Sequence, residues 1–433
     1  MSNKQLKILF TSFSFGGHFS GPLGVARALK QRGHRCVFAI DEDGKGKLAA
    51  EGFEEEAYFH PFLNGRGQRA PAAVGESVVD TDPQLSDPVG RAVRFLRQTG
   101  DMLHALVAGS EPELAKILDK VQPDVIIQDP FANPCLALSG RVWIKLCSSN
   151  PLAMRIDGGK LPPFGSGYSF ADRDKWAEYL EVVDKVADET SQKFHAFMTD
   201  KGMPTSGYRV FVKSDYLNIY VYPEAIDYTD VRPLDDTFFR IDSLVTSLPS
   251  EQFPVPEALR DLPGSLIYVS LGTVASSDYH VLRRLSMLLA NAKHRFIVSK
   301  GLHHEKFDLP PNQWGEAFLP QTRILPMVDL FITHGGNNSV TEAMFFGTPM
   351  IVLPYFGDQF DNATRIQETG LGLAFDLRTV GEEELMMGIN MLLSDNSLKT
   401  RLADIAARIQ SRDWPNELVN RIEKIVAENS CKT

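Results

Sequence analysis

Two stretches of this chain carry residue types whose order suits chemistry on a phosphorylated, hydroxylated ligand. In the first, an apolar run at 328–333 stops at His334-Gly335-Gly336-Asn337-Asn338-Ser339 and resumes with Val340, Ala343, Met344 and Phe346 at helical spacing. Strand, glycine turn and helix together aim unpaired helix N–H groups at one point, which favours an anion such as phosphate. Gly335 and Gly336 let the backbone approach closely, and Asn338 or Ser339 would cap the helix or bond the phosphate. A polar cluster, Asp358-Gln359-Asp361-Asn362, follows the next short apolar run and Pro354. In the second stretch, His18 lies in Phe15-Gly16-Gly17-His18-Phe19-Ser20-Gly21-Pro22, directly after an apolar run at 7–10. Asp129 closes another such run at 125–128. Loop residues at the carboxyl end of strands in an open α/β sheet face the ligand crevice. Blander readings stand beside these: a tight βα turn at Gly335-Gly336, a solvated loop histidine at His18, and a turn-forming Asp before Pro130. His303-His304-Glu305 lacks the i, i+4 histidine pair of a metal helix, and Gly16-Gly17 with Gly21 is not GxGxxG.

The first stretch resembles the donor signature of the family 1 UDP-glycosyltransferases. His334, Asn338, Ser339, Glu342, Gly347, Pro349, Asp358, Gln359 and Asn362 fall in its register, and Phe318-Leu319-Pro320-Gln321 resembles the Trp-x-Pro-Gln that opens it. The loop around His18 is similar to the family's Gly-His-x-x-Pro, with one extra residue before Pro22. The resemblance implies a GT-B α/β fold, in which two Rossmann-like domains with parallel sheets face a central cleft. It implies an inverting transfer of a hexose, glucose by the likeness of Gln359 to glucose users, from a UDP-sugar to a hydroxyl. His18 would be the base and Asp129 the carboxylate that orients it. Thr273, His334, Gly336, Asn338 and Ser339 would face the phosphates, and Glu342 the ribose. Phe318, with Gln321 beside it, would take the place of the tryptophan that stacks on uracil. Asp358 and Gln359 would hold sugar hydroxyls. Two planar polar ends suit a vicinal diol. No metal and no cofactor is implied, UDP-sugar being a co-substrate.

Phe15, Phe19, Phe62, Phe131, Phe164 and Tyr168 fall on candidate pocket loops and suit a small lipophilic acceptor such as a flavonoid, another phenol or a xenobiotic. Another GT-B activity such as a UDP-sugar epimerase, or a nucleotide-sugar-binding protein without turnover, is the competing reading. The transferase-like pair His18 and Asp129 argues against both.

The elements that must position these residues form two βα series. In 1–241, strand-like runs at 7–10, 34–40, 52–58, 125–128 and 142–147 alternate with helical patterns at 22–32, 45–51, 91–118 and 172–198. A break near Gly109 is expected in the third helix. The loops 61–88 and 151–170 read as covers over a pocket. Prolines gather in 242–263, the expected linker. In 264–414 strands at 265–270, 295–299, 328–333, 349–353 and 372–375 alternate with helices, and a last helix near 415–430 returns to the first domain by the resemblance.

A chain of 433 residues suits two domains. Its net charge of −10, with no basic run, disfavours nucleic acid and anionic membranes as partners, so a diphosphate must be held locally by helix ends. Cys36, Cys135, Cys147 and Cys431 show no CxxC spacing and read as free thiols. Apolar runs are shorter than a membrane span, and the first strand leaves no room for a signal peptide. A cytoplasmic monomer is the expectation, resembling the soluble arthropod enzymes, those of spider mites especially.

Overall fold

The computed structural model describes residues 4–12, 19–64, 87–156, 158–208, 211–251, 253–276 and 278–430. His18 and Phe15 lie outside them, as does most of the expected 61–88 loop. Seven strands build the first sheet: β1 (Lys7–Thr11), β2 (Arg35–Asp41), β3 (Glu54–Tyr58), β4 (Val125–Gln128), β5 (Val142–Cys147), β6 (Leu217–Val221) and β7 (Phe238–Ile241). Their order is β3-β2-β1-β4-β5-β6-β7, and every pairing is parallel. The second sheet holds β8 (Leu266–Ser270), β9 (Arg295–Ser299), β10 (Gln313–Glu316), β11 (Leu330–Thr333), β12 (Met350–Val352) and β13 (Gly372–Ala374). It is also all parallel, in the order β10-β9-β8-β11-β12-β13.

Parallel strands need crossover helices on both faces, which is why β1, β4, β8 and β11 read as unbroken apolar runs. The strand order reverses between β1 and β4 in one sheet and between β8 and β11 in the other. At such a switch point the two neighbouring connections leave to opposite faces and open a crevice beyond the carboxyl ends. Asp129 follows β4, and His334 follows β11. Both candidate stretches therefore open onto crevices set by topology.

The last helix, Trp414–Ser430, buries Trp414, Leu418, Val419 and Ile422 in the cluster formed by β1, β4, β5 and the Ser20–Gln31 helix. Arg32 donates to Asn416 and Asn420 at 2.9 and 3.0 Å, and His34 Nε2 lies 3.1 Å from Glu423. The core of the second sheet extends into the first half of the chain through Leu152, Met154, Tyr220, Tyr222 and Tyr228.

Three expectations are corrected. The Pro88–Val121 helix runs unbroken through Gly109 and Pro112. A Cβ at Gly109 would come within 3.3 Å of His60 and Pro61, so this glycine serves close packing and is not a breaker. The expected helix over 172–198 is divided, Trp176–Thr190 and Gln192–Asp200, with Ser191 at φ −111° between them. There the Thr190 carbonyl would lie 2.5 Å from a Cβ at Gly100, so the break lets the two chains touch. The segment 45–51 forms a turn followed by a single 3-10 turn, Ala49–Glu51, in place of an α-helix.

Candidate functional site

The sharpest local geometry is at the turn after β11. Gly335 adopts φ +81°, a conformation costly for other residues, and a Cβ there would meet Val352 Cγ1 at 2.4 Å. Gly336 is the N-cap of the Asn337–Phe346 helix, and no side chain caps it. The cap position expected of Asn338 or Ser339 is thus held by Gly336, and both stand inside the first turn. Ser339 Oγ instead accepts from Gln321 Nε2 at 3.2 Å. An uncapped first turn keeps its N–H groups for another acceptor.

The His334 ring is wedged between two glycines: a Cβ at Gly272 or Gly336 would lie 2.5 or 2.4 Å from its Nε2. Burial holds its pKa down to about 4, against a smaller opposing pull from the Ser270 backbone. At neutral pH the ring is uncharged, so it offers an anion no positive charge.

Beyond the carboxyl ends of β8 and β9 opens a pocket of about 160 Å³. Thr273, Phe318 and Gln321, three of the predicted donor residues, line it together with Ser270, Ser299 and Leu302. Phe318 keeps 61% of its surface exposed, leaving a ring face for a planar group. On the helix side, Gln321 Nε2 donates to Glu342 Oε2 at 2.7 Å. Burial raises Glu342 to about 7, more than this hydrogen bond lowers it.

The polar cluster after Pro354 begins the Asp358–Glu368 helix, and it meets the first half of the chain. Asp358 Oδ2 accepts from Ser149 Oγ at 2.9 Å and from the Asn150 N–H at 3.2 Å. Gln359 is 3% exposed, and its Oε1 accepts from the N–H groups of Tyr355 and Phe356 at 2.9 and 3.1 Å. Its amide oxygen therefore shapes the preceding loop, while its NH₂ end keeps donor capacity. Asp361 is more deeply enclosed than the sequence alone suggests. It accepts from Gly165 and Gly167 N–H at 2.7 and 2.9 Å, and burial pushes it up to about 8. Asn337 Nδ2 donates to the carbonyls of Ser148 and Val221 at 3.0 and 2.7 Å. The carboxyl-end loops of both sheets thus abut, and Asn337, Ser149, Asn150 and Asp361 are the residues the sequence did not mark for that role. Only Asp361 carried a signal, three residues after Asp358 and so on the same helix face.

At the other switch point Asp129 is 3% exposed and its N–H donates to Thr11 O at 3.2 Å. Its Oδ2 accepts from Ser148 Oγ. A Cβ at Gly21 would lie 2.2 Å from that same hydroxyl oxygen, so the chain just past the His18 loop runs against the partner of Asp129. Of the aromatic set, Phe62 and Phe131 share one small cluster with Leu63, Met102 and Leu106. The others pack elsewhere: Phe19 against the core under the last helix, Phe164 on Tyr208, and Tyr168 edge-on to Tyr179. Cys36, Cys135 and Cys147 are free thiols. Among the described residues no helix is long and apolar enough to cross a membrane, and no group of three or more His, Cys, Asp or Glu is set to hold a metal ion.

Comparison with known proteins bears on this arrangement. The family model described as UDP-glucoronosyl and UDP-glucosyl transferase matches residues 263–418. The chain is 24% identical over 439 residues to NDP-glycosyltransferase YjiC of Bacillus subtilis (strain 168), covering 99% of each. It is 31% identical over 173 residues to UDP-glucuronosyltransferase 3A1 of Mus musculus, which is 37% of this chain and 33% of that one. The solved structure of the glycotransferase of kitacinnamycin aligns over 98% of this chain and 100% of its own with a TM-score of 0.72 at 20% identity. At that identity the likeness is one of fold.

Proposed function

We propose that the chain is a member of the family 1 UDP-glycosyltransferases, nucleotide-sugar-dependent enzymes of GT-B fold, and that it transfers glucose from UDP-glucose to a hydroxyl of a small lipophilic acceptor with inversion at the anomeric carbon. One observation carries the reading. The helix N-terminus that follows β11 stands beside the pocket of Thr273, Phe318 and Gln321: the His334 ring packs on Gly272, next to Thr273, and Gln321 donates to Ser339 and Glu342 of that helix.

In this reading the diphosphate rests on the first turn of the Asn337–Phe346 helix, with Gly336, Asn338 and Ser339 beside it and Thr273 opposite. Phe318 stacks on the uracil, and Glu342 accepts from the ribose hydroxyls. Asp358 and the NH₂ end of Gln359 hold the hexose. A carboxylate there favours neutral hydroxyls over a uronate by charge repulsion. His18 removes the acceptor proton as the oxygen attacks the anomeric carbon, and Asp129 stabilises the imidazolium that forms. UDP leaves from the opposite face. Its developing charge falls at the free N–H groups of the helix N-terminus, beside the uncharged His334 ring. Phe62 and Phe131, near Asp129, supply an apolar wall for the acceptor.

The test pairs substrates with variants. UDP-glucose, UDP-galactose and UDP-glucuronate are screened against phenols, and His18→Ala and Asp129→Asn are then assayed on one alcohol and one phenol. His18→Ala should bind UDP-glucose normally, yet lose about 10²–10⁴ in transfer to the alcohol and less to the phenol, which ionises with less help. Wild-type alcohol transfer by His18→Ala would remove the base from this position.

A further inference from the structure

Lys145 is a buried cation that the reaction above does not use. It sits on β5 opposite Gln128 of β4 and exposes none of its surface. Its Nζ donates to the Pro130 carbonyl, in the residue directly after Asp129, and lies 5.7 Å from the Phe211 ring. Among the described residues two titratable groups face it: Asp129 from the end of β4, and Cys147 on its own strand. Burial pushes the Cys147 thiol up to about 12, so that neighbour is neutral throughout the physiological range. The carboxylate in the field of Lys145 is therefore Asp129, itself 3% exposed. An ammonium or a carboxylate buried alone is costly, whereas each lowers the cost of the other.

We propose that Lys145 is a positioning residue for glycosyl transfer, holding Asp129 in its ionised form and fixing the turn that aims it. The inference rests on the catalytic reading of Asp129 given above. A carboxylate that orients a general base must be charged to stabilise the imidazolium, and in this low-polarity pocket Lys145 supports that charge. Ser148 Oγ, bonded to Asp129 Oδ2, fixes the direction, and Lys145 fixes the protonation state.

Lys145→Met removes the charge and keeps the apolar stem. Without the nearby cation both Asp129 and the imidazole hold protons to higher pH, so the acid limb of the kcat profile moves up. At pH 7 the loss in kcat for a weakly acidic alcohol should be about tenfold, the effect of a one-unit shift. KM for UDP-glucose should not move, because the donor residues stand on the second sheet. The gap between wild type and Lys145→Met should close above about pH 8, since burial lowers the wild-type ammonium to about 8 and it is lost there too.

The deciding comparison is with Asp129→Asn and the double variant. If Lys145 acts through Asp129, Lys145→Met adds no further loss in the Asp129→Asn background. Equal fractional losses in both backgrounds, or a gap independent of pH, would mean a merely structural lysine and overturn the proposal. If Asp129→Asn is impaired while Lys145→Met is not, the proposal alone falls. If Asp129→Asn keeps wild-type activity, the catalytic reading of Asp129 falls and the proposal with it. Thermal melting and UDP calorimetry report folding. Should Lys145→Met not fold, the double variant, which loses both charges together, takes its place. It should match Asp129→Asn in rate, and a rate far below that would overturn the proposal.

Discussion

Glu342 offers a prediction with a definite sign and size. Its carboxyl is raised to about 7 by burial in the unliganded protein, with Gln321 as its hydrogen-bond donor. A carboxylate that accepts from two ribose hydroxyls is favoured in its charged form, so UDP binding should release a proton. With a pKa of about 7, roughly one-tenth of Glu342 is ionised at pH 6 and roughly nine-tenths at pH 8. UDP affinity should therefore rise about tenfold between these values, about 1.4 kcal/mol. UDP itself gains charge near pH 6 as its terminal phosphate ionises, which also steepens the profile. His334, held down near 4, is silent in this window. Glu342→Gln isolates the carboxylate: it should bind UDP with only the slope due to the phosphate. Calorimetry in two buffers of different ionisation enthalpy counts the protons directly. Identical slopes and proton counts in wild type and Glu342→Gln would refute the ribose assignment. The same shift bears on stability. A folded-state pKa raised above the unfolded value contributes stability that is present below about pH 4.5 and is lost as pH rises through about 7. The melting temperature of unliganded Glu342→Gln should accordingly gain on wild type between pH 5 and pH 8.

Gly336→Ala has an allowed backbone, at φ −59°, yet its Cβ would lie 2.4 Å from His334 Nε2. Displacing that ring should cost about 1–3 kcal/mol of stability and weaken UDP; unchanged UDP affinity by calorimetry would remove His334 from the phosphate site. Gln359→Glu keeps the oxygen that the Tyr355 and Phe356 N–H groups need and loses the NH₂ donor. It should spare UDP and weaken intact UDP-glucose by about 1–3 kcal/mol, whereas equal loss of both ligands would contradict a sugar contact.

The turn at Gly335-Gly336 was legible because its signals are local. A short apolar run, two glycines and a helical repeat of apolar residues fall within one stretch, and the structure places β11, the turn and the Asn337–Phe346 helix there. The sequence failed where a distant chain decides the outcome. Gly109 looks like a helix breaker until His60 and Pro61 are seen against it, and Ser191 breaks a continuous apolar pattern because Gly100 touches Thr190. β10 reads Gln-Trp-Gly-Glu and has no apolar run to announce it, since as an edge strand it is only half enclosed. Asn337 and Ser149 show no local pattern for ties whose partners stand some two hundred residues away. Lys145 reads as an ordinary charge within β5, and only the fold reveals that Asp129 faces it.

The central claim, inverting transfer of a hexose from UDP, is tested most directly by the anomeric configuration of the product. Protein incubated with UDP-α-glucose and a simple phenol is followed by proton NMR until UDP is released. The account predicts a β-glucoside, identified by the large axial–axial coupling of its anomeric proton, appearing in step with UDP. An α-linked product, or UDP released with free glucose and no glucoside, would contradict it.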